Sequence, residues 1–273
     1  MSGYERDQKR PAGDISKGHA HNPFGYQPPT AAEFTVMYGG QEGPTPFNRR
    51  KEGVCLHLVQ FELDASGSMK DEIPNLIDSM NTIAIPAFQG VSNSTTARNG
   101  LRIGCDLFSE TIIPAWKGML VPNKLSPQQL CVHNFQRSGL NGNTNLYQAI
   151  LHGIEQLGKL AAYYQRITSE QGTNVWPRLL VFTDGADTSG HPELAEDIIK
   201  YLSGRQDPGA YQTVLVYFET GYGLSKDKFE ALSKRLRFQR YWYFGNDQPI
   251  EERRRTFRHE LRLFSSRTTA SNK

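Results

Sequence analysis

From Val54 onward the chain alternates between short, nearly continuous apolar runs and longer stretches whose apolar residues recur every three or four positions. The first kind suits strands covered on both faces, the second amphipathic helices. VCLHLVQFEL, residues 54–63, predicts a buried strand interrupted by His57, Gln60 and Glu62. A helix is expected from Asp71, with Ile73, Leu76, Ile77, Met80 and Ile83 on one face, Pro74 in its first turn and an end near Pro86. Residues 93–100 read as a turn, and 101–108 and 111–116 as two strands near enough in sequence to form a hairpin, the second antiparallel to the first. A short helix within 126–135 and the loop SGLNGNTNL precede an amphipathic helix bearing Leu146, Ile150, Ile154, Leu157, Ala161 and Tyr164. Residues 178–183 predict a buried strand ending in Asp184-Gly185, followed by a helix over 191–202 opened by Pro192 and a strand over 211–218. Ser225 is placed to cap a helix carrying Phe229, Leu232 and Leu236; a strand over 238–244 and a helix over 249–265 with Ile250, Phe257, Leu261 and Phe264 complete the pattern. Strands separated by helices require right-handed crossovers. The fold class is therefore α/β: a doubly wound, mostly parallel six-stranded sheet with one antiparallel edge strand and helices on both faces.

The chemistry gathers where the first strand gives way to its helix, at Asp64-Ala65-Ser66-Gly67-Ser68-Met69. Asp64, Ser66 and Ser68 are short oxygen-bearing side chains at alternate positions, and Gly67 is expected to let the loop curl by adopting backbone angles other residues resist. Small oxygen ligands suit a hard cation, Mg2+ with Mn2+ or Ca2+ as alternatives. Thr144 and Asp184 are both expected at strand-to-helix junctions, which a doubly wound sheet collects along one edge. Together DASGSM, the threonine of GNTNL and the TDG of Thr183 to Gly185 resemble the metal-ion-dependent adhesion site of the von Willebrand factor A (VWA) domain family, over roughly residues 51–265. The resemblance implies a VWA/Rossmann-like fold in which Ser66, Ser68 and Thr144 bind the cation directly or nearly so, while Asp64 and Asp184 act through water. It further implies an interaction module of bacterial or intracellular type, similar to the tellurite-resistance-associated VWA proteins. Such modules occur beside AAA+ ATPases or in stress-response and defence gene clusters, so an AAA+ ATPase, kinase or phosphatase is an expected partner. A cation held mainly by neutral hydroxyls stays electrophilic, so the partner is expected to donate an Asp or Glu. Asp64 and Asp184 are expected on a solvent-facing loop edge.

Composition narrows the setting. Residues 1–50 hold seven Gly and six Pro and resist continuous structure, yet Tyr4, Phe24, Tyr26, Phe34, Tyr38 and Phe47 recur there. They predict an arm that is either a flexible tail or docked, with 33–38 as a possible edge strand; the VWA domain is expected over 51–267 and a flexible tail over 268–273. No signal-peptide core or run of about 18 apolar residues is present, which leads to the expectation of a cytoplasmic protein with no membrane partner. Cys55, Cys105 and Cys131 read as small buried apolar residues, and His57 as a core histidine bonded to backbone.

Two alternatives follow from the same residues. A Mg2+ site beside a strand-end aspartate suits phosphoryl transfer, but the acid–base carboxylate two residues later is Ser66, and no GxxxxGK[ST] or GxSxG motif is present. The chain is therefore expected to have no catalysis of its own. The net charge of +3 conceals thirteen Lys or Arg against six Asp or Glu in residues 226–273. Arg253, Arg254, Arg255, Arg258, Arg262 and Arg267, with Tyr241 and Trp242, would suit nucleic acid. A solvated helix face explains the same arginines and is the favoured reading, so nucleic acid is not expected as a partner.

Overall fold

The computed structural model describes residues 26–30, 32–33, 55–92, 99–116, 118–126, 130–137, 142–168, 174–203, 212–220 and 223–270. Six strands, β1 (Cys55–Asp64), β2 (Asn99–Phe108), β3 (Ile112–Pro114), β4 (Asn174–Thr183), β5 (Gln212–Phe218) and β6 (Arg240–Phe244), form one sheet in the order β3-β2-β1-β4-β5-β6. Only β3 runs antiparallel, as the short 109–111 connection demands. The helices are α1 (Ile73–Ser79), α2 (Ile85–Ser92), α3 (Val132–Arg137), α4 (Leu146–Ile167), α5 (Leu194–Ser203), α6 (Lys226–Arg235) and α7 (Ile250–Ala270). The predicted doubly wound α/β architecture is the observed one.

Alternation along β1 sorts the core into two layers. Val59, Phe61 and Leu63 pack with α1, α2 and α7, through Leu76, Phe88, Phe257 and Leu261. Leu56 and Leu58 leave the opposite face and pack with α4, α5 and α6, through Ile150, Ile154, Ile198 and Phe229. Phe257 secures α7 by standing edge-on to Phe218, Phe244 and Phe182, with ring centroids 5.2, 5.4 and 6.0 Å away. The predicted apolar stripe of α4 is buried at all six named positions.

Several local expectations are corrected. The first helix does not stop near Pro86. A π-turn over Met80–Ala84, with Ile85 N–H donating to Met80 O, widens the path and relieves the contact Pro86 would make with the preceding turn, so helix continues to Ser92. Strand β4 begins at Asn174 rather than Arg178 and includes Pro177, which opposes Leu58 on β1; pairing with β5 starts only at Arg178, so Pro177 removes no observed bond on that side. Gly67 is not in the left-handed region, where the described glycines are Gly118 and Gly190; its loop closes as a 3-10 turn, Gly67–Asp71. Ser225 precedes α6 in extended conformation but its hydroxyl makes no capping bond. Ile250 is exposed although it begins the apolar pattern of α7. Cys55 and Cys105 are buried, but Cys131 is exposed at the start of α3, where Asn134 Oδ1 accepts its N–H at 2.8 Å and its thiol at 3.0 Å. His57 is buried without the expected backbone bond: Arg178 Nε donates to its Nδ1 at 3.3 Å. Burial and the Arg178 charge lower its pKa to about 3.

Of the arm, Tyr26 stacks on Tyr201 of α5 with centroids 5.8 Å apart, and Glu33 Oε1 lies 3.1 Å from Lys159 Nζ of α4. Ala32 and Glu33 are helical, and the rest of the 33–38 segment expected as an edge strand lies outside the described residues. So do Tyr4, Phe24, Phe34, Tyr38 and Phe47, and the boundary between 50 and 51. Helix α7 runs to Ala270, into the stretch expected as a flexible tail. Among the described residues, no helix is long and apolar enough to cross a membrane.

Candidate metal centre

At the carboxyl ends of β1 and β4 the chain places Asp64 and Asp184, the last residue of β1 and the first after β4. Asp64 Oδ1 accepts the Ser66 N–H at 2.8 Å, an Asx-type turn that folds the loop back on itself without needing a special glycine angle. Asp64 Oδ2 accepts the Thr183 hydroxyl at 2.8 Å, which ties β1 to β4. Ser66 Oγ and Ser68 Oγ stand 3.2 Å apart; Ser68 Oγ donates to Asp184 Oδ1 at 2.9 Å, and Thr220 Oγ1 donates to Asp184 Oδ2 at 2.7 Å. Asp64, Ser66, Ser68 and Asp184 are thus brought into one hydrogen-bonded group. Thr144 is not at a strand end as expected: it lies in the loop before α4, after the helix α3, and its Oγ1 is 4.0 Å from where a Cβ on Gly185, next to Asp184, would sit. Its backbone is locked to Thr188, whose hydroxyl accepts the Thr144 N–H at 2.8 Å and whose N–H donates to Thr144 O at 2.9 Å.

One expectation is overturned. Asp64 and Asp184 are not on a solvent-facing edge but 0% and 1% exposed, since the sheet end is roofed by the loops themselves; Ser66 and Thr144 are buried as well. Ser68 is the exposed member. Burial, then the charge of Asp184, raises the Asp64 carboxyl from 3.8 to about 7, and burial also raises Asp184. Two carboxylates held together in low dielectric favour a proton or a cation between them.

The donor set fits a hard cation. Neighbouring oxygens around octahedral Mg2+ are separated by about 3 Å, given bonds of about 2.1 Å. The 3.2 Å spacing of the two serine hydroxyls matches that edge. Because Ser68 sends its proton to Asp184, Ser66 is the donor between the two serines, which leaves Ser68 one lone pair for an ion. Ser66, Ser68 and Thr144 would hold the ion, with Asp64 and Asp184 balancing its charge.

Four residues that shape the site were given no role in it from the sequence. Thr183 was visible as part of TDG, and Thr220 follows the end of β5 on the same sheet edge, a position that could have drawn attention. Asp187, three residues past Asp184, accepts the Tyr147 N–H at 3.0 Å and so serves the start of α4. Gly223 has no sequence signal, yet a Cβ there would lie 1.9 Å from Asp184 O and 2.2 Å from Tyr217 Oη.

Three arginines of α7 are engaged by the domain. Arg253 is buried: its Nη2 is 2.7 Å from Glu72 Oε1, and its Nη1 donates to Glu219 O at 3.1 Å and Asn246 Oδ1 at 2.7 Å. Arg254 pairs with Glu251, and Arg258 with Asp78 of α1.

No family model matches the sequence, and no curated protein does. Solved structures do resemble the fold. A von Willebrand factor type A protein from Catenulispora acidiphila superposes with a TM-score of 0.52 at 12% identity, over 79% of this chain and 43% of that one. The PilB minor pilin from Streptococcus sanguinis gives 0.51 at 12% identity, over 81% and 64%. The pilus adhesin SpaC from Lactobacillus rhamnosus GG, in its open conformation, gives 0.50 at 11% identity, over 80% and 30%. This chain spans less than two thirds of each of those proteins. With five parallel strands, one antiparallel strand and helices on both faces, the chain has a VWA/Rossmann-like α/β fold.

Proposed function

We propose that this protein is a Mg2+-dependent protein-interaction module with no catalysis of its own, a scaffold or adaptor in a cytoplasmic complex of stress response or defence. The observation that carries the reading is the paired serine hydroxyls, 3.2 Å apart, of buried Ser66 and exposed Ser68 beside a buried carboxylate pair. Ser66, Ser68 and Thr144 contribute neutral oxygens, and Asp64 and Asp184 are already bonded to Ser66, Ser68, Thr183 and Thr220. The bound cation supplies a Lewis-acidic position for an acidic side chain from outside. A partner's Asp or Glu would arrive beside Ser68, which is exposed, and the basic region 226–273 would favour an acidic surface around it. The names of two structural neighbours, a minor pilin and a pilus adhesin, accord with an interaction role. An AAA+ ATPase, kinase or phosphatase is the class of partner proposed.

The test is a pull-down from native lysate in Mg2+, in excess EDTA, and with Thr144→Ala in Mg2+. Partners should be recovered in the first condition and lost in the other two. Equal recovery in all three overturns the proposal.

A further inference from the structure

A second polar cluster lies beneath α4, apart from the hydroxyl site. Gln60 and Glu62 precede Asp64 at two-residue spacing, so their side chains leave β1 on the face that α4 covers. Asp106 on β2 pairs in register with Glu62, and His152 comes from α4 itself. A strand face between a sheet and a helical layer is ordinarily apolar, as Leu56 and Leu58 are at the other end of this strand. Here the backbone has been cut away for polar groups. A Cβ at Gly104 would lie 2.1 Å from Gln60 Oε1, and one at Gly153 would lie 2.9 Å from Glu62 Oε1.

The groups converge. One ligand atom each from Glu62, Asp106 and His152 lie within 4.8 Å of one another, and His152 Nε2 is 3.0 Å from Asp106 Oδ2. Gln60 Nε2 donates to Glu62 Oε1 at 3.2 Å and to Asp106 Oδ2 at 3.0 Å, which orients both carboxylates. Glu62 is 0% exposed, and its Oε2 has no hydrogen-bond partner among the described residues. An acceptor stranded in this way is destabilising unless something from outside meets it. A cavity of about 200 Å3, lined by Gln60, Asp106, Met119 and His152 among others, opens beside the cluster.

We infer that Glu62, Asp106 and His152 form a binding site for a first-row divalent transition ion, Zn2+ or Mn2+, separate from the hydroxyl site. Two carboxylates neutralise a double positive charge, and an imidazole selects these ions over Mg2+, which prefers an all-oxygen octahedron. Ligands at about 2.0–2.2 Å from a tetrahedral ion sit roughly 3.3–3.6 Å apart, so no pair need close by more than about 1.5 Å. Three protein ligands leave a position facing the cavity, where water or a small anion fits. Gln60 is the positioning residue.

The experiment is equilibrium dialysis of the full chain against Zn2+ and Mn2+ in saturating Mg2+, with Co2+ as a visible-absorption probe. Wild type should bind one ion at this site and give a Co2+ ligand-field band. His152→Ala and Glu62→Gln should abolish the band and weaken binding by roughly tenfold or more, and Gln60→Ala should weaken it by about tenfold. Ser68→Ala, which alters only the hydroxyl site, should leave it intact; melting in EDTA establishes that each variant is folded. Absence of Zn2+ and Mn2+ binding in wild type, or unchanged binding in folded His152→Ala and Glu62→Gln, overturns the inference. So does transfer of the loss to His191→Ala, because exposed His191 beside Glu193 would then be the ligand.

Discussion

Replacing Arg253 by methionine measures how strongly α7 is tied to the loops of the hydroxyl site. Glu72 directly follows the 3-10 turn of the DASGSM loop, and Glu219 precedes Thr220, which holds Asp184. One guanidinium therefore bridges the last helix to both sides of the site. Methionine retains most of the apolar stem but removes the charge, leaving Glu72, 4% exposed, without its cation. Breaking a buried pair from one side costs about 3–5 kcal/mol, because the surviving charge stays desolvated. For a domain of this size that is a fall in Tm of roughly 6–20 °C. Urea unfolding followed by tryptophan fluorescence reads the loss as a shift in midpoint at constant slope. Adding Glu72→Gln removes the stranded charge, so the double variant should regain about 1–3 kcal/mol over Arg253→Met. A single-variant loss below about 1 kcal/mol, within the range of a surface pair, would refute the reasoning. So would a double variant less stable than Arg253→Met.

Two further outcomes are expected at the hydroxyl site. Because the folded-state pKa of Asp64 is raised to about 7, its contribution to stability is complete below 3.8 and is lost as pH rises through 7, a loss of roughly 4 kcal/mol without metal. Asp64→Asn keeps an acceptor for the Ser66 N–H and should flatten that decline between pH 4 and 8 in EDTA; a wild-type slope in unfolding experiments would count against it. Gly223→Ala forces a Cβ against the Asp184 backbone and should lose about 1–3 kcal/mol and weaken Mg2+ binding by calorimetry. Gly90→Ala, with nothing within 4 Å, should be neutral or stabilising, and equal behaviour of the two variants would refute the close-approach argument.

The sequence by itself determined which segments are strands and which are helices, because the periods of two and of three to four are local properties of the chain. Leu146 to Tyr164 and the run into Asp64 announce themselves in this way, and Ser66, Ser68 and Asp184 follow from their positions just past strand ends that a doubly wound sheet collects on one edge, whereas Thr144 lies between two helices. Local exceptions were less legible. Helix continues through Pro86 because a π-turn precedes it, and the DASGSM loop closes through the Asp64 carboxylate rather than through Gly67. Only the tertiary structure decided burial and partnership. Asp64 is fully buried and bonded to Thr183 of β4, Arg253 becomes an internal tie rather than a surface charge, and Glu62, Asp106 and His152 meet from positions tens of residues apart. A charged or polar side chain carries no periodic mark of its neighbours; its environment is set by which strands adjoin and which helix covers them, and those contacts exist only once the whole sheet has assembled.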